Sequence, residues 1–154
     1  RGEIVVFNSP YAFDQNLRSK KPPSSLRCLL VNFPLVSFIP GLADPACDAY
    51  IKRVVAVSGD KVSINNKGEV VINNVLVQEP YVTKYCTLDN KGRSNCRALT
   101  SLVPSGHVLV LGDNRSNSWD SRFWPSSPFL PEKEILGRAV WRFWPISRVG
   151  VLSF

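Results

Sequence analysis

Residues 112–122 read Gly-Asp-Asn-Arg-Ser-Asn-Ser-Trp-Asp-Ser-Arg and bring two carboxylates, two guanidiniums and three serine hydroxyls into one short stretch. The apolar run Val108-Leu109-Val110-Leu111 stands directly before it. Apolar residues followed at once by Gly-Asp-Asn describe a buried strand that ends in a tight turn. Such a turn carries polar side chains at the rim of a core, where hydroxyl and acid–base chemistry can be done. The same composition also describes a salt-laced surface loop whose ion pairs contribute little. The choice rests on whether other segments supply the groups such chemistry needs.

They occur in a recognisable order. Every fixed position of the pattern Gly-Asp-Asn-Arg-x-x-Ser-x-Asp-Ser-Arg is met at 112–122, and the stretch resembles the last signature of the type I signal peptidases. These are membrane-bound Ser/Lys proteases that cut signal peptides from exported proteins. Tyr50-Ile51-Lys52-Arg53-Val54-Val55-Ala56-Val57-Ser58-Gly59-Asp60 is similar to that family's lysine box, with Ser58 in place of the usual proline. The opening Arg1-Gly2-Glu3-Ile4-Val5-Val6-Phe7 resembles an Arg-Gly-Asp-Ile-Val-Val-Phe box with Glu3 for Asp. Glu79-Pro80-Tyr81-Val82 and Pro104-Ser105-Gly106-His107 also resemble family landmarks. In the family the nucleophilic serine sits in a Ser-Met motif before the Arg-Gly-Asp box, and this sequence has no methionine. The expectation is therefore a catalytic domain without its anchor and nucleophile, inactive unless the missing part is supplied.

The resemblance implies roles. Lys52 would be the general base. A lysine serves as a base only when neutral, and its free pKa near 10.4 must fall by about three units at neutral pH. Burial among apolar groups such as Val54 and Val55 can supply that fall. Ser118 would orient the Lys52 amine rather than attack substrate. Arg53, Asp113, Asp120 and Arg122 would brace the site as an ionic network. Tyr50 and Ile51 would bind an extended substrate strand, with small side chains in shallow pockets that suit Ala-x-Ala cleavage sites. The oxyanion donors come partly from the missing serine region, so none is assigned.

Composition agrees with one compact domain: 154 residues can bury a real core, and 44% hydrophobic residues is ordinary for a globular chain. The net charge of +7 calls for an anionic partner or plain solubility. Basic residues are scattered rather than set on a recognition helix, which argues against nucleic acid. The small cluster Arg18, Lys20, Lys21 and Arg27, just before an apolar stretch at 29–42, fits a membrane surface better. That stretch carries Pro34 and Pro40 and is too short to span a bilayer, so it either packs on the core or dips into the membrane interface. Signal-peptide-bearing preproteins are the other expected partner. The single histidine and the absence of Cys-x-x-Cys argue against zinc, and no cofactor is expected. Cys28 with Cys47 and Cys86 with Cys96 form two local pairs that read as disulfides of an oxidising compartment, with free buried thiols the alternative. The second pair also resembles a family disulfide in placement.

The elements that must position these groups are short strands. Apolar runs predict strands at 4–7, 50–57 and 108–111, and β-rich pieces at 62–65, 69–73 and 75–78. Asn65-Asn66-Lys67-Gly68 and Asn73-Asn74 have the composition of hairpin turns. Residues 83–101 read as polar loop, 131–136 as one helical turn opened by Pro131, and 139–143 as a last strand. The expected fold is all-β: a partly open, barrel-like catalytic core of short strands with a small hairpin and loop extension. The core would occupy about 1–62 and 102–148, the extension 63–101 and an insertion 8–49. Trp119, Phe123, Trp124, Trp141, Phe143 and Trp144 make the last third aromatic, in keeping with core packing or a membrane interface. The implied location is a membrane-anchored protein with its catalytic domain on the exported side: periplasm, cell surface or thylakoid lumen. Two other readings are a self-cleaving repressor-type Ser/Lys protease and a catalytically dead β module that binds exported peptides or a membrane partner.

Overall fold

The computed structural model describes residues 1–17, Cys28, 47–143 and 146–152. The basic cluster at 18–27, the apolar stretch at 29–42, Trp144 and most of the expected insertion lie outside the described residues. In chain order the strands are β1 (Ile4–Asn8), β2 (Ala49–Val57), β3 (Lys61–Ile64), β4 (Val70–Ile72), β5 (Val75–Leu76), β6 (Leu99–Leu102), β7 (His107–Leu111), β8 (Leu130–Pro131), β9 (Ile135–Arg138), β10 (Trp141–Arg142) and β11 (Gly150–Val151). They form a five-stranded sheet ordered β8-β7-β2-β1-β9, a four-stranded sheet ordered β5-β4-β3-β6, and the two-stranded β10-β11. A short helix, α1 (Pro10–Phe13), follows β1, with the Ser9 hydroxyl accepting from the Tyr11 amide. The chain is mostly β in open sheets, as its short apolar runs predict.

β2 is the organising strand. β1 pairs antiparallel with its first half, setting Val5 opposite Lys52 and Phe7 opposite Tyr50. β7 pairs with its second half, from Arg53 opposite Leu111 to Val57 opposite Val108. Side chains on β7 alternate between two cores. Leu109 and Leu111 join Val62, Ile64, Val70 and Val103 on one side, and Val108 and Val110 join Phe7, Trp124 and Leu130 on the other. A strand covered on both faces must be apolar throughout, which is why 108–111 shows no alternation. Each fully buried side chain of this kind contributes about 1.5–3 kcal/mol.

Turn chemistry explains the small sheet. Asn73 and Asn74 both take positive φ, 51° and 68°, the geometry of the two-residue turn that joins β4 to β5. Two segments differ from expectation. Leu99-Thr100-Ser101-Leu102 forms β6 rather than loop, pairing with β3 and setting the Thr100 hydroxyl 3.0 Å from that of Ser63. Glu132–Glu134 makes a single 3-10 turn after Pro131, and Ile135 onward is drawn into β9 by pairing with β1. Both cysteine pairs are bonded, with Cα atoms 5.0 Å apart at Cys28–Cys47 and 5.8 Å at Cys86–Cys96. Closing the second loop is worth about 3 kcal/mol on chain-entropy grounds.

Candidate active site

β7 ends at Leu111 and the chain turns a corner at Gly112 before a 3-10 turn (Arg115–Asn117) that delivers Ser118. A Cβ on Gly112 would overlap the Ser118 hydroxyl, so only glycine lets the corner close against that serine. Both backbone groups of Gly112 are held. Its N–H donates to Asp120 Oδ2 at 3.0 Å and its carbonyl accepts from Arg115 Nε at 3.1 Å. Gly112→Ala should therefore cost about 1–3 kcal/mol by overpacking, and the cost should shrink in a Ser118→Gly background. Chemical denaturation of the two singles and the double measures that coupling.

Lys52 projects from β2 and is half-buried. Burial pulls its amine below the ordinary lysine value, against the opposing pull of the Asp120 carboxylate. The amine lies 5.8 Å from the centre of the Tyr50 ring. Lys52, Arg53, Gly112 and Asp113 line one hollow of about 210 Å³ with Ile4 and Ile51. Ser118 Oγ lies behind the corner, buried and without a hydrogen bond to Lys52 or to any other group among the described residues. A buried hydroxyl left unpaired is costly and marks a place where a partner is wanted.

The charged residues fall into two pairs. Arg53, buried on β2, meets Asp113 through two bonds of 3.0 and 2.9 Å and donates to the Gly2 carbonyl at 2.6 Å. Arg122 meets Asp120 through Nε and Nη2, each at 2.8 Å, with both side chains fully buried. Arg122 also reaches the Cys86 and Cys96 sulfurs at 3.4 and 3.1 Å. Tyr50 and Ile51 sit on opposite faces of β2. Tyr50 packs against Phe7 and Trp119, with ring centres 6.2 and 6.0 Å away, and Ile51 is 53% exposed beside the hollow.

A third charged pair was not read from the sequence. Arg115 is buried and its guanidinium clasps Glu79 at 2.9 and 2.6 Å while donating to the Gly68 carbonyl at 2.5 Å. Glu79 also accepts from the Tyr81 hydroxyl at 3.1 Å, and the Tyr81 ring lies over the Arg53 guanidinium at 3.9 Å. The two members of the Glu79–Arg115 pair are 36 positions apart and nothing in either segment points to the other. No group of three or more metal-ligating side chains occurs among the described residues.

The sequence and the short-stranded open β fold have counterparts among known proteins. The family model for signal peptidase, peptidase S26, matches residues 1–144. The probable signal peptidase I-2 of Synechocystis sp. is 39% identical over 153 residues, covering 99% of this chain and 52% of that protein. The chloroplastic thylakoidal processing peptidase 1 of Arabidopsis thaliana is 33% identical over 131 residues, 85% of this chain and 35% of that protein. The crystal structure of a signal peptidase I from Enterococcus faecalis V583 superposes with a TM-score of 0.53 at 22% identity, covering 90% of this chain and 94% of that one, and shares the fold. The chain belongs to the signal peptidase, peptidase S26, family. It spans about a third to a half of the length of these curated relatives.

Proposed function

We propose that this chain forms most of the catalytic domain of a membrane-associated serine endopeptidase that removes signal peptides from exported preproteins by a Ser/Lys mechanism. The observation that carries the reading is the half-buried Lys52 amine, held below the ordinary lysine value, at a corner whose Ser118 hydroxyl is buried without a partner. Lys52 takes the proton from the attacking serine and returns it to the leaving amine. The Ser118 hydroxyl orients the amine once substrate and nucleophile close the site. Arg53–Asp113 and Arg122–Asp120 hold the corner, and Asp120 keeps the Gly112 amide in place beside Ser118. The sequence contains no Ser-Met motif, so this reading assigns the nucleophile to none of the residues described here.

The substrate would add as an extended strand along Tyr50 and Ile51. β7 pairs with β2 only from Arg53 onward, so among the described residues the β7 side of Ala49–Lys52 has no partner strand. An unpaired edge beside a shallow hollow suits a peptide with small side chains at alternate positions. Exposed Trp141 and Phe143, close to Arg138 and Arg142, support seating against an anionic membrane surface. No helix among the described residues is long and apolar enough to cross a membrane. A full-length version carrying the family's serine should cut a preprotein after the second alanine of an Ala-x-Ala site, and lose that cut when this alanine is replaced by leucine. A protein that binds the peptide without cutting it would instead be a peptide-binding β module.

A further inference from the structure

The Glu79-Pro80-Tyr81 segment takes no part in the chemistry just described, yet it connects to both sides of the hollow, directly at Arg53 and through Arg115 at Gly112. One Glu79 carboxylate, fully buried, is shared between Arg115 and the Tyr81 hydroxyl. Through Arg115 it reaches the Gly112 carbonyl. Through Tyr81 it reaches the face of the Arg53 guanidinium, 3.9 Å from the ring centre. Arg53 and Asp113, which pair with each other, adjoin Lys52 and Gly112 in sequence and line the same hollow. We propose that Tyr81 is a positioning residue for Lys52: its ring, anchored by Glu79, caps Arg53 and so keeps the Arg53–Asp113 pair and the Gly112 corner in place in the wall of the hollow that Lys52 lines.

The chemistry of the contact supports this. A guanidinium stacked on an aromatic face is attracted to the ring quadrupole and shielded from water on that side. Burial and the Glu79 carboxylate push the Tyr81 phenol up to about 12, so it stays a donor and the anchor holds across the working pH range. Among the described residues, few groups face Lys52. Asp120 acts on it from the corner loop, Arg53 and Asp113 line its hollow, and the Tyr50 ring is on its own strand. On β1 the opposite residue is Val5, Glu3 directly precedes that strand beside β2, and its partner Arg138 is on β9 beyond it. Losing the cap loosens Arg53 and Asp113 and admits water. Burial outweighs Asp120 in setting the amine, so admission of water raises its midpoint.

This rests on Lys52 being the base, and the test separates the two claims. The purified chain is reductively methylated across a pH series, and the rate at Lys52 is read by peptide mass mapping. In the wild type the midpoint should lie below the free lysine value. Tyr81→Leu should move it upward, lowering the rate near pH 8 by about threefold or more. Tyr81→Phe keeps the ring but loses the bond to Glu79, and its midpoint should fall between those of the wild type and Tyr81→Leu. Tyr81→Gln, read the same way, serves if the leucine variant fails to fold. A wild-type midpoint at the free lysine value overturns the assignment of Lys52. A depressed wild-type midpoint that Tyr81→Leu or Tyr81→Gln leaves unmoved, whatever happens to the melting temperature, overturns the role of Tyr81.

Discussion

Replacing Lys52 by alanine in a form that carries the nucleophilic serine should lower preprotein cleavage by about a thousandfold while leaving the protein folded. A positioned base contributes about 10²–10⁴ in rate, and none of the neighbouring ionisable groups can substitute. Asp120 is committed to Arg122 and to the Gly112 amide, and Asp113 to Arg53. Lys52→Arg should be as inactive as the alanine variant, because a guanidinium stays protonated, which separates the role of a base from that of a charge. The fold should survive because Lys52 is a partner in none of the buried ion pairs seen among the described residues. Its folded-state pKa lies below the unfolded one. The protonated amine therefore costs stability at neutral pH, and that cost disappears as pH rises through the folded midpoint to the free lysine value. Initial cleavage rates with a thermal melt check both halves; near-normal turnover by Lys52→Ala would falsify the assignment.

Asp120→Asn should have the largest effect on stability. The carboxylate, itself out of contact with water, accepts from Arg122 Nε and Nη2 at 2.8 Å each, from the Arg122 amide at 3.2 Å and from the Gly112 amide at 3.0 Å. Neutralising one member of a buried pair strands the other, at a cost of about 3–5 kcal/mol. The bonds from Arg122 to the Arg115 carbonyl at 2.9 Å and to the two sulfurs remain, which places the expectation at the lower end of that range. The same change removes the charge that holds the Lys52 amine up, so its midpoint should move further down rather than toward the ordinary value. Denaturation reads the first effect and titration of Lys52 the second. Glu3→Gln, which breaks a pair whose members are 57% and 41% exposed, is the matched control and should cost less than about 1 kcal/mol.

Local chemistry made much of this legible in advance. Val108-Leu109-Val110-Leu111 has no alternation because both its faces are covered, and Gly112-Asp113-Asn114 marks the point where the strand must stop. Asn73-Asn74 announces a turn that needs two positive φ angles. β6 escaped notice because an edge strand with exposed Thr100 and Leu102 offers no apolar face to read, and it owes its place to pairing with β3. Residues 131–136 resemble a helical turn until pairing with β1 claims Ile135. At the candidate site, Lys52 and Ser118 each stand in a distinctive string of residues. The Glu79–Arg115 clasp has no such mark, since its members are 36 positions apart and nothing in either segment names the other. Burial itself, which turns four charged side chains near the corner from surface pairs into internal ones, is a property of the assembled fold.

The most direct test is an NMR titration of the Lys52 side chain in the folded protein, following its ε-methylene carbon as pH is raised. The account predicts a midpoint clearly below the 10.4 of a free lysine, moving lower still in Asp120→Asn. A midpoint at the free value, indistinguishable from the exposed lysines of the same sample, would contradict it.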